Sequence, residues 1–195
     1  MILGGKNKAD SGFMQDIVRA SGQETLSHCY QCGKCTAGCP AAFDMDYKPN
    51  QVIRLLQLGL KEQVLASRAI WVCAGCWTCS TRCPCNIGIA QVMDSLRIIA
   101  RKEGTAGKGK SVIMFNDLFL QSVRRNGRVF ELGVLLSHNF KSGKPFRDAE
   151  LGRFMLSKGK LRLSAEKIKG TKVIRKLFSR PEKSPAESSG ERVKE

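Results

Sequence analysis

Long apolar runs are missing from this chain of 195 residues. Runs such as Gly133-Val134-Leu135-Leu136 are only a few residues long. A membrane-spanning helix needs roughly 18, so no transmembrane segment is expected. Residues 1–10 carry two lysines but no apolar h-region, so no signal peptide is expected and the predicted compartment is the cytoplasm. Aromatic residues make up only 7%, leaving little for stacking on bases. The plant-type C-x4-C-x2-C spacing of 2Fe–2S proteins is absent as well.

What is present begins with nine cysteines. In a reducing compartment these point to metal or redox chemistry rather than to disulfides. Hydrophobic residues at 42% and charged residues at 26% suit a globular chain of one or two domains. Positive charge is concentrated in one region. Residues 101–180 hold 20 Lys/Arg against 6 Asp/Glu, whereas residues 1–100 hold 10 against 7. The C-terminal half is thus a basic module without cysteine, suited to an anionic partner surface.

All the cysteines lie in the other half, and eight of them form an internal repeat. The first copy reads Cys29-Tyr-Gln-Cys32-Gly-Lys-Cys35-Thr-Ala-Gly-Cys39-Pro40, the second Cys73-Ala-Gly-Cys76-Trp-Thr-Cys79-Ser-Thr-Arg-Cys83-Pro84. Both follow the C-x2-C-x2-C-x3-C-P spacing of bacterial ferredoxins, in which the fourth cysteine serves the other cluster. Two 4Fe–4S clusters are therefore expected. The first takes Cys29, Cys32, Cys35 and Cys83, and the second takes Cys73, Cys76, Cys79 and Cys39. Zinc sites pair two cysteines with two further ligands after a gap, which is a different pattern. Clusters that exchange their fourth ligands lie close together, and this favours electron relay over a structural staple.

Other residues near the motifs carry weaker signals. Cys85 is left over once eight ligands are assigned and reads as a spare thiol. Tyr30 and Trp77 stand beside ligands, where they would shield a cube or simply pack. Lys34 and Arg82 read as solvated charge. His28 precedes a complete thiolate set and is not assigned as a ligand.

The remaining pattern is helical. Residues 13–20 read as a short helix ended by Gly22. Pro49 suits a first helical turn, with Val52, Leu55 and Leu56 following at helical spacing. A short helix is predicted over 61–67 with Val64 and Leu65 inward. Another starts at Asn86 or Gly88, runs through Ile89, Val92, Met93, Leu96 and Ile99, and stops at Gly104. Residues 104–110 read as a glycine-rich basic hinge. Helical stretches follow at 112–123, 129–140 and 151–156. Residues 158–180 read as an amphipathic arm or a loosely ordered extension. The fold class is all-α, with an N-terminal helical segment (1–25), a dicluster domain (26–104), a basic helical extension (105–180) and a disordered tail (181–195).

The cysteine motifs with their intervening segments resemble the C subunit of heterodisulfide reductase. The segments that carry the likeness are Tyr30-Gln31-Cys32-Gly33-Lys34-Cys35, Met45-Asp46-Tyr47, Gln51-Val52-Ile53-Arg54-Leu55 and Ile70-Trp71-Val72-Cys73. Asn126-Gly127-Arg128-Val129-Phe130-Glu131 and Pro145-Phe146-Arg147-Asp148-Ala149-Glu150 extend it. The resemblance implies an α-helical ferredoxin domain whose two clusters relay electrons between two partners. The donor is the family's flavin- and cluster-bearing A subunit, and the acceptor is its catalytic B subunit, of C-C-G type. This chain has no Cys-Cys-Gly, so it is expected to be a non-catalytic redox subunit with no small-molecule substrate of its own. Two rival readings are the iron–sulfur subunit of a quinone-linked dehydrogenase and a nucleic-acid-binding protein with structural clusters. The first usually adds the missing 2Fe–2S motif; the second lacks aromatics and a recognised motif.

Overall fold

The computed structural model describes residues 10, 12–105, 107–144, 149–160 and 164–179. Among them every regular element is an α-helix or a short 3-10 turn, and there is no strand. Two compact units divide the chain, Met1–Lys110 and Ser111–Glu195. No helix among the described residues is long and apolar enough to cross a membrane.

The first unit opens with α1 (Phe13–Ser21), which buries Phe13 and Ile17 and ends at left-handed Gly22, whose N–H bonds the Val18 carbonyl at 2.8 Å. A glycine is suited to this ending because φ there is +66°. Then come α2 (Lys34–Ala37), α3 (Pro49–Gln57), α4 (Lys61–Leu65), α5 (Ala69–Val72), α6 (Thr78–Thr81) and α7 (Ile89–Lys102). Pro49 opens α3, where its missing N–H costs nothing. The buried faces of α3 (Val52, Ile53, Leu56) and α7 (Ile89, Val92, Met93, Leu96, Ala100) follow the helical period. They meet Phe13, Ile17, Leu26, Val64, Leu65 and Ile70 in one continuous core.

Four elements of this unit are only four or five residues long, too short to persist on helix propensity alone. A remote side chain closes one of them. Asp46 accepts the N–H groups of Arg68 (2.8 Å) and Ala69 (2.9 Å) and so caps the start of α5 from 23 residues away. The 104–110 stretch differs from the free hinge its composition suggests. Lys108 pairs with Asp46 at 3.0 Å. Gly109 is buried against the Trp71 ring, so closely that a Cβ would lie 2.3 Å from the indole. Here glycine provides room for an aromatic neighbour rather than looseness.

In the second unit come α8 (Lys110–Asn126), α9 (Glu131–Lys141), α10 (Ala149–Ser157) and α11 (Thr171–Phe178); α8 and α10 contain the stretches predicted at 112–123 and 151–156, whereas α9 begins two residues inside the stretch predicted at 129–140. Gly127 (φ +80°) turns the chain after α8, and the Phe130 N–H bonds Ser122 Oγ at 2.9 Å to start α9. Val173, Ile174 and Leu177 share one side of α11 between lysines and arginines. Leu161, Leu163 and the tail 181–195 lie outside the described residues.

Candidate iron–sulfur sites

Each cysteine motif folds as the same pair of left-handed turns. In the first copy these are Gln31 (φ +62°) and Gly33 (φ +77°); in the second they are Gly75 (φ +63°) and Trp77 (φ +63°). The positions are equivalent, but the glycine has changed places. Alternating right- and left-handed residues turn successive N–H groups toward one concave side, a nest for a negatively charged group. The second left-handed residue of each copy then caps α2 or α6, which carries the third cysteine, Cys35 or Cys79, into the core.

The residue after that third cysteine ties the motif to the next long helix. Thr36 Oγ1 accepts the Asn50 N–H at 3.3 Å, and Ser80 Oγ accepts the Ala90 N–H at 3.0 Å. Asn50 and Ala90 are the second residues of α3 and α7. The ninth residue of each helix reaches back to the first cysteine of its motif. Gln57 Nε2 donates to the Cys29 carbonyl at 3.0 Å, and an Arg97 guanidinium N–H donates to the Cys73 carbonyl. The repeat therefore extends past the cysteines into whole helices. Its sequence signal is an offset of 40 that aligns Gln51-Val52 with Gln91-Val92 and Leu56 with Leu96. Sequence reading by cysteine spacing alone, at an offset of 44, missed it.

Two cavities result. One is lined by Cys29, Cys32, Cys35 and Cys83, with Tyr30, Gln31, Gly33, Asn50, Pro84, Cys85 and Ile89, around about 320 Å³ of space open to solvent. The other is lined by Cys73, Cys76, Cys79 and Cys39, with Pro40, Ala41, Met45, Pro49, Trp77, Ala90 and Met93 among its walls, around about 380 Å³. Each gathers three cysteines of one copy and the fourth of the other. Among the described residues no three His, Cys, Asp or Glu side chains converge as ligands of a single ion would. A four-iron cube takes one thiolate per iron, so its ligands stand round a void instead of at a point. Four soft thiol donors on a largely apolar wall fit such a cube.

The eight thiols differ in setting. Cys35 and Cys79 are buried, Cys32 and Cys76 are exposed, and the other four are between. Burial pushes the Cys35 and Cys79 thiols up, whereas the Thr78 hydroxyl, 3.4 Å from Cys76 Sγ, brings that thiol down. The cavities are close neighbours. Consecutive residues Pro49 and Asn50 line different cavities, as do Ile89 and Ala90, and consecutive Cα atoms are only about 3.8 Å apart.

Of the weaker candidates, Tyr30 and Trp77 each line a cavity while remaining exposed on the outer side. Cys85 lines the first cavity, and its thiol donates to the His28 carbonyl at 3.3 Å. Lys34, Arg82 and His28 are exposed and line neither cavity. Gln31, Asn50, Thr36, Ser80, Gln57 and Arg97 were not singled out in the sequence, because their roles depend on partners up to 28 residues away.

Residues 25–87 match the 4Fe–4S dicluster domain family. The C subunit of the H(2):CoB-CoM heterodisulfide,ferredoxin reductase of Methanothermobacter thermautotrophicus is 36% identical over 99 residues, 51% of this chain and 53% of that protein. The iron–sulfur C subunit of the CoB–CoM heterodisulfide reductase of Methanopyrus kandleri is 40% identical over 96 residues, 48% of this chain and 50% of that protein. The C subunit of the Ferredoxin:CoB-CoM heterodisulfide reductase of Methanosarcina acetivorans is 43% identical over 79 residues, 40% of this chain and 32% of that protein. The chain spans about half the length of the first two relatives and a third of the last. The chain carries a 4Fe–4S dicluster domain and, over about half of its length, is similar to the C subunits of heterodisulfide reductases.

Proposed function

We propose that the chain is the electron-relay subunit of a heterodisulfide-reductase-like complex and carries two 4Fe–4S clusters. Cys29, Cys32, Cys35 and Cys83 hold one, and Cys73, Cys76, Cys79 and Cys39 hold the other. Electrons enter from the flavin- and iron–sulfur-bearing A subunit of that complex and leave to its C-C-G-type B subunit, in the cytoplasm; the chain itself transforms no substrate. The observation that carries this reading is the exchange of fourth cysteines, since Cys83 stands in the cavity of the first motif and Cys39 in that of the second. Exchange braces the two sites against each other and keeps them a few residues apart, as electron transfer between them requires. Each cavity also borders solvent beside an exposed aromatic, Tyr30 or Trp77, which gives the pair one entrance and one exit. The basic second half, with 20 Lys/Arg against 6 Asp/Glu over residues 101–180, docks on an acidic face of one of these partners.

The test is anaerobic purification with iron and sulfide analysis. The chain should hold about eight irons, as two four-iron cubes require, and should bring down a flavoprotein and a C-C-G protein. Cys39→Ala should lose the cluster of the second motif and keep that of the first. A zinc-containing sample, or loss of the first motif's cluster in that variant, overturns the ligand assignment. Recovery as a solitary chain overturns the relay.

A further inference from the structure

The two copies of the motif use the same backbone shape but fill it differently, and one of the differences is at Gln31. Its φ is +62°, a conformation that residues with a Cβ adopt at a cost and glycine adopts freely. The equivalent position in the second copy is glycine, Gly75, at φ +63°. A glutamine kept where glycine would be easier points to a task for its side chain.

The side chain is held at both ends. Gln31 Nε2 donates to Cys29 Sγ at 3.3 Å. Gln31 Oε1 accepts from Asn50 Nδ2 at 3.3 Å, and Asn50 Oδ1 accepts from Thr36 Oγ1 at 2.5 Å. This chain of bonds fixes which end of the carboxamide faces the sulfur. With its oxygen engaged by Asn50, Gln31 can present only N–H to Cys29. No side chain can do this at Gly75, and Ala90, which takes the place of Asn50 at the start of α7, has no amide to orient one. The second motif has its own hydroxyl contact, Thr78 with Cys76, on an exposed thiol at a different position.

Resting on the ligand sets proposed above, we infer that Gln31 is a positioning residue that tunes the first cluster alone. An N–H donated to a ligand sulfur favours the more negative, reduced cube and therefore raises its potential. Hydrogen bonds to cluster sulfurs are among the main means by which proteins set that potential. The first cluster then accepts an electron more readily than it would on a bare copy of the motif. One electron passes between the cubes, one becoming oxidised as the other is reduced, and no bond is made or broken.

Gln31→Gly is the informative variant, because it makes the first motif match the second at this position and removes the backbone cost. Anaerobic redox titration followed by electron paramagnetic resonance, on the full chain with both clusters loaded, reads the result. The Cys39→Ala chain identifies the first cluster's signal. The midpoint of the first cluster should fall in Gln31→Gly and fall further in Gln31→Glu, which replaces the donor with a charged acceptor. The second cluster should not move. An unchanged or raised first midpoint, or an equal shift of both, overturns the inference and leaves the relay standing. Failure of the wild-type chain to bind two four-iron clusters instead overturns the reading on which it rests.

Discussion

Residues Met1–Lys110 and Ser111–Glu195 are both helical, but their helices are stabilised by different means. In the first, helices as short as four residues are anchored by a continuous core and by side chains that reach across the chain. In the second, helices of 17 and 11 residues bury only Leu118 and Val134 among their large apolar side chains. Phe140, Phe154 and Val173 are 70%, 60% and 63% exposed. The contrast shows that the cysteine-bearing half derives its order from tertiary contacts, as a site with fixed thiol positions must. The basic half has regular helices but leaves much of their apolar surface open.

The largest expected effect sharpens this contrast. Leu96 is fully buried on α7, and Leu96→Ala should cost about 2–5 kcal/mol, the usual range for a core truncation. Phe140→Ala in the second unit should change stability by less than about 0.5 kcal/mol, as exposed sites do. Anaerobic denaturant titration of the isolated chain, followed by helical circular dichroism, compares them. A comparable loss at Phe140 would mean that the second unit has a core of its own, and the contrast would fail.

Asp46 comes next. Partial burial pushes its carboxyl up, but the Arg68 N–H, the Lys108 ammonium and the N–H groups of Ala69 and Tyr47 outweigh this and hold it below the ordinary aspartate value. A depressed carboxyl gives its full stabilisation above the unfolded value near 4 and loses it as the pH falls through the lower folded value. Asp46→Ala should therefore cost about 1–2 kcal/mol at neutral pH, the range of a lost helix cap. The gap between variant and wild type should close in acid. Denaturation midpoints measured from pH 7 down to strong acid test this. A gap that stays constant would assign the loss to packing instead of charge.

The cluster motifs were legible because coordination chemistry dictates cysteine spacing within a dozen residues. The helices were legible because burial imposes a period on Val52, Leu56, Val92 and Leu96. The parts that were not legible are pairings between distant polar residues. Nothing local marks Thr36 and Ser80 as anchors for α3 and α7, or Gln57 and Arg97 as supports for Cys29 and Cys73. Each needs the fold to bring its partner within 3.3 Å. Asp46 is similar: beside Tyr47 it resembles an ordinary loop acid, and its role as a cap appears only when Arg68 and Ala69 arrive. Gly109 misled in the opposite direction, since glycine beside lysine suggests freedom, whereas the space is filled by Trp71.

The most localised expected effect lies in the second unit, where the contrast predicts that damage does not spread. Gly127 combines φ +80° with a close approach, so that a Cβ there would lie 2.2 Å from Ile168 Cγ1. Next to it the Ile168 N–H bonds the Asn126 carbonyl at 3.0 Å, and Arg128 pairs with Glu166 at 3.1 Å across exposed surface. Gly127→Ala should displace Ile168, which is itself 38% exposed, and weaken this attachment by about 1–2 kcal/mol through the backbone conformation alone. The exposed ion pair adds under about 1 kcal/mol and cannot make up the loss. Because the segment contributes little to any core, amide hydrogen exchange should accelerate at Ile168 and remain unchanged along α7. Acceleration that spread into α7 would show that the two units stabilise each other, and their different modes of stabilisation would then belong to a single cooperative structure.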